Sequence, residues 1–382
     1  MSVVSPESRY RSALASCCGG NILKIDLLKH IDAIFAPALL RLLPRAKGKN
    51  RAFRPSRSAL LIRPGGIGDA ILLIPAIQWL KSSYPELRID VLAETRNAAA
   101  FKLTPDVYRV FLYDRPAQLV QVMSRTYDVV IDTEQWYRLS AVVARLFRSR
   151  LRIGFATNER KKLFHVQIPY EHGRFEAESF LDLVTSLVDG ERPGLSRPYL
   201  RVPAAVGEIV KDKYPSLACS VVIFPGASIP ERRWGSENFQ ALCRRLRQDG
   251  VPVVVVGGAG DRASAERIAA GTEVLNLAGQ TSLVETSALI AASRCLVTGD
   301  SGLMHIAAGL GVPTVSLFGP GIEEKWAPKG KRHVVLNARL SCSPCTKFGV
   351  TPDCSRGAAC LSAITVDEVF GAVMMQLENW SH

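Results

Sequence analysis

No uninterrupted apolar run in this chain approaches the roughly 18 residues that a membrane span needs, so no spanning helix is expected. A secretory leader is not expected either: Arg9 and Arg11 precede the short segment 12–18, but that segment is weakly apolar and runs on into Lys24, Asp26 and Lys29. The expectation is a chain that stays in the cytoplasm. Internal repeats and low-complexity tracts are absent, and no acid interrupts the basic run from Arg41 to Arg57. What is present is a globular composition, 47% apolar over 382 residues, too long for one ordinary core. Two domains are therefore expected. The net charge of +13 suggests a nucleic-acid partner until it is located. Residues 1–57 hold eleven Lys and Arg against Glu7, Asp26 and Asp32, a local charge of +8, and the body is only mildly basic. No nucleic-acid partner is expected.

Residues 21–43 have helical periodicity, with Ile25, Leu28, Phe35, Leu39 and Leu42 near one face and Pro37 placed to kink or divide the helix. An amphipathic helix followed by a polybasic run suits an anionic membrane surface; a helix packed on the body with a solvated linker is the alternative. From Ser58 onward apolar runs alternate with helical segments. Strands are expected near 59–62, 89–93, 107–112, 128–131 and 151–155, with helices between them near 70–83, 116–125 and 138–148. A Pro, Gly and Arg-rich interval at 189–198 reads as a linker. The rhythm then resumes, with strands near 220–224, 251–256, 274–278, 295–298 and 312–318. Helices are expected near 236–248, 262–270, 282–292, 302–310 and 365–379. This is an α/β chain of two doubly wound domains, 58–190 and 199–382, behind an amphipathic and basic extension, 1–57.

The chemistry is concentrated in four loops at the carboxyl ends of expected strands, where open α/β sheets bind ligands. The first, Arg63-Pro64-Gly65-Gly66-Ile67-Gly68-Asp69, is not a P-loop, because no Gly-Lys-Ser/Thr follows. The dinucleotide fingerprint needs a glycine where Ile71 stands. Glu94 does end the second strand, where a ribose-binding acid would sit, but the missing glycine argues against a dehydrogenase. Asp69 stands where the turn becomes a helix, as an N-cap or as a base aimed into a cleft. The second loop, 224–234, combines small residues, the hydroxyl of Ser228 and the charges of Arg232 and Arg233. It suits a diphosphate or, more plainly, a solvated surface turn. In the third, Gly257-Gly258-Ala259-Gly260-Asp261, the acid either caps the next helix or holds ribose hydroxyls. The fourth carries Asp300, Ser301, Gly302, Leu303 and His305 at the start of a small, apolar helix, whose free amides attract phosphate.

In order along the chain, Arg-Pro-Gly-Gly-Ile-Gly-Asp-Ala-Ile, Phe-Pro-Gly-Ala-Ser with Arg-Arg-Trp, Gly-Asp-Ser-Gly-Leu-Met-His-Ile-Ala-Ala and Val-Ser-Leu-Phe-Gly-Pro resemble glycosyltransferase family 9, the ADP-heptose:lipopolysaccharide heptosyltransferases. The resemblance spans roughly residues 58–380. It implies a GT-B architecture: two Rossmann-like domains facing across a cleft, acceptor held mainly by the first and nucleotide-sugar by the second. It also implies inverting transfer that needs no metal. By position, Asp69 falls on the family's general base, Arg63 with Gly65, Gly66 and Gly68 on the acceptor-side loop, and Ser228 and Arg232 on diphosphate contacts. Asp300, Ser301, Gly302, Leu303 and His305 fall on the donor-sugar and phosphate loop, and Asp261 matches the ribose acid more loosely. A peripheral enzyme on the inner face of the cytoplasmic membrane follows, using ADP-heptose and a lipid-linked glycan acceptor. Another nucleotide-sugar, a protein acceptor, or a non-catalytic membrane adaptor are the competing readings.

Cysteine use divides in two. Cys17, Cys18, Cys219, Cys243 and Cys295 are scattered, as inert fillers are. Cys342, Cys345, Cys354 and Cys360 are clustered with spacings that could wrap one zinc or iron, remain as thiols, or form disulfides. The resemblance favours metal, since autotransporter heptosyltransferases of the family use such a cluster as an iron finger.

Overall fold

A computed structural model describes residues 32, 34–46, 53–195, 198–347 and 350–379. Helix α1 covers residues 34–42 and runs through Pro37 without a break. Residues 21–31 and 33 of the expected 21–43 helix, and Cys17 and Cys18, lie outside the described residues. Much of the apolar face of α1 is turned outward: Ile34, Phe35, Leu39 and Leu42 are exposed, and Ala36 and Leu40 are buried against the body.

The first sheet contains β1 (Ser58–Arg63), β2 (Arg88–Ala93), β3 (Arg109–Leu112), β4 (Thr126–Asp132), β5 (Arg148–Phe155) and β6 (Val166–Ile168). Helices α2 (Ile67–Ser83), α3 (Pro116–Met123), α4 (Leu139–Leu146) and α5 (Glu176–Val184) accompany it. The second half begins with α6 (Ala204–Lys213), β7 (Val221–Phe224), α7 (Ser236–Gln248), β8 (Val253–Val255), α8 (Arg262–Ala269), β9 (Leu275–Asn276) and α9 (Leu283–Ala292). It continues through β10 (Cys295–Gly299), α10 (Gly302–Leu310), β11 (Thr314–Phe318), α11 (Glu323–Trp326), β12 (His333–Asn337), α12 (Ala359–Ser362) and α13 (Val366–Asn379).

The strand orders are β3-β2-β1-β4-β5-β6 and β9-β8-β7-β10-β11-β12, with every pair parallel. Both halves thus share one doubly wound topology, although no sequence repeat announces it. The central strands are buried on both faces, so they read as continuous apolar runs (Ala59–Ile62, Val221–Ile223). Strands β6 and β12 and helices α5 and α6 escaped the sequence reading. The two strands are short or only half-buried, and α6 buries only Val210.

Helix α2 is buried almost all round from Ala70 to Ile77, because α5 covers one side and α10 of the second half covers another. The end of the linker is tied to both halves: Tyr199 and Leu200 N–H donate to Gly309 O, and Arg201 N–H donates to Leu103 O. Among the scattered cysteines, Cys243 and Cys295 are core fillers, but Cys219 is exposed, which corrects its assignment as a filler. Among the described residues no helix is long and apolar enough to cross a membrane.

Candidate active site

The reversal points of the two sheets lie between β1 and β4 and between β7 and β10, and the loops leaving these strands face each other. Strand β1 ends at Arg63 and turns through Pro64, Gly65 and Gly66 into α2. Gly65 has φ +112°, a conformation L side chains rarely adopt. The N-cap of α2 is Gly66, and Asp69 lies inside the first turn with no capping bond. Its half-buried carboxylate has Oδ1 3.4 Å from the Nε2 donor of Gln135 and Oδ2 beside the Gly65-Gly66 turn.

Arg63 is 1% exposed and spent on scaffolding. Its Nε donates to Pro64 O at 2.6 Å, Nη1 to Thr133 O at 3.0 Å and Nη2 to Glu134 Oε2 at 3.1 Å, which fastens the end of β1 to the loop after β4. Burial opposes its charge, but Asp69, Glu134, Glu176 and Asp132 together outweigh burial and hold the guanidinium above its ordinary value. Burial pushes the Glu134 carboxyl up, against the pull of Arg63 and Arg160. Glu134 Oε1 accepts from the N–H groups of Gln135 and Trp136 at 3.0 Å, which shapes the turn that presents Gln135.

Gln135 Nε2 also donates to Glu176 Oε1 at 2.5 Å. Glu176 is 0% exposed and accepts from Tyr170 OH at 2.9 Å and from Lys325 Nζ at 2.5 Å. Lys325 is 4% exposed and stands on α11, in the second half of the chain. A line of polar contacts therefore runs from Asp69 through Gln135 and Glu176 to Lys325 across the cleft. Sequence reasoning missed Gln135, Glu176 and Lys325, because none belongs to a glycine loop or to a recognisable spacing.

In the second half, Arg232 Nη1 pairs with Asp300 Oδ2 at 3.0 Å, and the buried Nε of Arg232 has no hydrogen-bond partner among the described residues. Arg233 folds back, its Nε and Nη2 both donating to Ala227 O. Ser228 is exposed at the loop tip. Asp261 closes its own turn, Oδ2 accepting from Gly258 N–H at 2.9 Å, and makes no capping bond to α8. Ser301 is the N-cap of α10, its Oγ accepting from Met304 N–H at 3.4 Å. Leu303 and His305 are buried behind it. Burial pushes the His305 pKa down to about 4, against Asp300 and Asp69, so the ring is neutral at pH 7.

The two helix starts touch. A Cβ on Gly68 would stand 2.8 Å from His305 Cδ2, and one on Gly302 would stand 2.9 Å from Ile67 Cβ. Both glycines are thus required by close approach between the halves. A cavity of about 230 Å³ opens beside this contact, lined by Asp69, Gln135, Tyr170, Lys325, Trp326 and Thr346 among others. It gathers a carboxylate, hydrogen-bond donors and the N-terminus of α2, while the N-terminus of α10 meets α2 at Gly68, a set able to take a proton and hold an anion.

The cysteine segment also reaches this cleft. The N–H groups of Cys345 and Thr346 both donate to Pro320 O, after β11. Burial raises the Cys345 thiol, and Cys354 and Cys342 add to the rise. Four thiols are donors that suit zinc or iron. As folded, however, no three Cys, His, Asp or Glu side chains among the described residues are grouped to hold one metal ion.

The sequence model described as Glycosyltransferase family 9 (heptosyltransferase) matches residues 117–353. Lipooligosaccharide heptosyltransferase 2 of Haemophilus ducreyi is 26% identical over 305 residues, 72% of this chain and 87% of that protein. The structure of ADP-heptose lipopolysaccharide heptosyltransferase II of Escherichia coli has the same fold, with a TM-score of 0.69 at 24% identity over 85% of this chain and 100% of that one. An iron-containing dodecameric glycosyltransferase of enterotoxigenic Escherichia coli shares the fold more loosely, with a TM-score of 0.52 at 15% identity over 88% of this chain and 78% of that one. The family match begins after the Gly65–Asp69 loop.

Proposed function

The chain belongs to glycosyltransferase family 9 and is a glycosyltransferase, and from that premise we propose that it moves a heptose from ADP-heptose to a lipopolysaccharide-core acceptor with Asp69 as general base. The observation that carries this reading is the contact of α2 with α10, which sets Asp69 beside the loop of Asp300, Ser301 and Gly302. In this reading an acceptor hydroxyl enters the cavity against Asp69. The carboxylate takes the hydroxyl proton as the oxygen attacks the anomeric carbon from the face opposite ADP. The new C–O bond forms as the bond to the β-phosphate oxygen breaks, its electron pair leaves with ADP, and the anomeric configuration inverts.

Gln135 holds one oxygen of Asp69 and leaves the other toward the small Gly65-Gly66 turn. The charge on departing ADP is met by the first amides of α10 and by the unpaired Nε edge of Arg232. Ser228 and Asp261 complete the donor side, at the diphosphate and ribose. No step uses a metal.

The relatives named above supply the donor and acceptor classes. Replacing Asp69 with Asn should lower kcat by about 10²–10⁴-fold while ADP binding stays at the wild-type level. Unchanged turnover would refute Asp69 as the base, and tighter binding of UDP than of ADP would overturn the heptose assignment.

We place the enzyme at the inner face of the cytoplasmic membrane. Support comes from the exposed stripe Ile34, Phe35, Leu39 and Leu42 of α1, flanked by Arg41 and Arg45. Binding to anionic vesicles should weaken with salt and vanish on truncation at Phe53; equal binding after truncation would remove this reading.

A further inference from the structure

The edge of the first sheet opposite the cleft carries a second concentration of charge that the transfer reaction does not use. Arg109 opens β3, Arg88 opens β2, Arg57 immediately precedes β1, and Arg125 immediately precedes β4. These four strands are consecutive neighbours in the sheet. Adjacent strands lie about 4.8 Å apart and are staggered here, Ser58 beside Arg88 and Asp90 beside Arg109, so the four arginines converge on one end of the sheet. Together with Ser56, Ser58 and Thr126 they line a cleft of about 570 Å³.

Part of this charge serves the fold: burial pushes the Asp90 carboxyl up, and Arg125, Arg109 and Arg88 oppose that rise. Like charges on neighbouring strand ends repel, and short polar residues would start the strands as well. The lining holds two acids, Glu86 and Asp90, against the four arginines. Neither acid forms an ion pair with any of them among the described residues. Asp90 is buried at the cleft floor, where its Oδ2 accepts from Tyr127 OH at 2.8 Å and its Oδ1 has no hydrogen-bond partner among the described residues.

The arginines are nonetheless held. Arg88 and Arg109 lie over the ring of Tyr108, 5.4 and 5.0 Å from its centroid, and Arg125 lies 5.2 Å from that of Phe111. Arg57 is fixed through its backbone. Asp128 Oδ2 accepts from the N–H groups of Ser56, Arg57 and Ser58 at 3.0, 2.7 and 3.3 Å. Stacking orients the guanidiniums of Arg88, Arg109 and Arg125, and their N–H groups make no hydrogen bond among the described residues, a condition that suits phosphate binding, while Arg57 is anchored at its main chain.

We propose that this cleft is a second anion site, which takes a phosphate-bearing group such as a diphosphate through Arg57, Arg88, Arg109 and Arg125. It is separate from the Gly65–Asp69 loop, which leaves the far end of β1, and from the donor loops, which belong to the second sheet. The ligand's phosphate belongs either to a lipid headgroup or to a soluble phosphate compound.

The test is titration calorimetry with inorganic pyrophosphate on the full chain saturated with ADP, so that the donor loops are occupied. One saturable site is expected, and in the double variant R88Q/R109Q its affinity should fall at least tenfold with transferase turnover unchanged. The single variants R88Q and R109Q should each show part of the loss. Vesicle sedimentation on the same proteins then assigns the source. Weaker binding of R88Q/R109Q to vesicles containing phosphatidic acid, but not to neutral ones, identifies a lipid headgroup. Vesicle binding equal to wild type, beside lost pyrophosphate affinity, identifies a soluble phosphate. No saturable pyrophosphate binding in the presence of ADP, or equal affinity in the double variant, would overturn the proposal.

Discussion

Replacing Lys325 with Met would remove the ammonium that the second half of the molecule inserts beside Glu176. Both groups are desolvated, Glu176 at 0% and Lys325 at 4% exposure, so neither charge has water to fall back on. Met fills nearly the same space and keeps contact with the Tyr170 and Trp326 rings, which lie 4.7 and 5.2 Å from Nζ. The Glu176 carboxylate would then retain only Tyr170 and Gln135 as donors. Removing one partner of a buried pair costs roughly 3–5 kcal/mol, mostly for the charge left behind. Glu176→Gln leaves Lys325 uncompensated and should cost a similar amount. The double variant carries no stranded charge and should cost less than either single change. The coupling free energy should therefore reach at least about 2 kcal/mol. Urea unfolding followed by tryptophan fluorescence measures all four proteins. Because Gln135 joins Glu176 to Asp69, Glu176→Gln should also lower kcat with donor KM unchanged. Single-variant costs below about 1 kcal/mol that simply add would refute the bridge between the two halves.

Gly68→Ala improves local helix propensity by about 1 kcal/mol, yet its new methyl would meet His305. Turnover should fall at least tenfold by kinetic assay with thermal stability near wild type, and unimpaired turnover would refute the close approach. His305 has its pKa lowered from 6.5 to about 4 by burial, so the unfolded chain takes up a proton that the fold refuses as pH falls through that window. Its contribution to stability is complete above the unfolded value. About 2 kcal/mol is lost between pH 7 and 5. His305→Gln should flatten the urea-unfolding pH dependence by that amount, and parallel pH profiles would contradict the assigned burial. Chelation with EDTA should leave the transfer rate within about twofold of the untreated enzyme, since no catalytic step has been assigned to a metal. A rate that collapses and returns on adding a divalent cation would refute the metal-free mechanism.

Much of the architecture was legible because local rules govern it. Strands buried on both faces must be apolar throughout, so β1, β2, β4, β7, β8 and β10 stood out, and the period of α7 and the Ser301 cap marked their helices. Strand β12 was not legible, since its half-buried residues resemble any loop of mixed polarity. The outward apolar stripe of α1 was visible as a stripe, but periodicity does not say which side of a helix meets the body.

The sequence by itself determined which residue types end each strand: an acid after three glycines, an arginine pair after β7, and Asp-Ser-Gly before α10. Those are local facts of composition and order. Only the tertiary structure decided what each one does. It gave the N-cap of α2 to Gly66 and left Asp69 open to the cavity. It spent Arg63 on the loop after β4, left one edge of Arg232 unpaired, and joined Asp69 to a lysine far along the chain through Gln135 and Glu176. The reason is physical. Desolvation and pairing depend on which distant groups the packed sheets bring within a few ångströms, and no short-range pattern carries that distance.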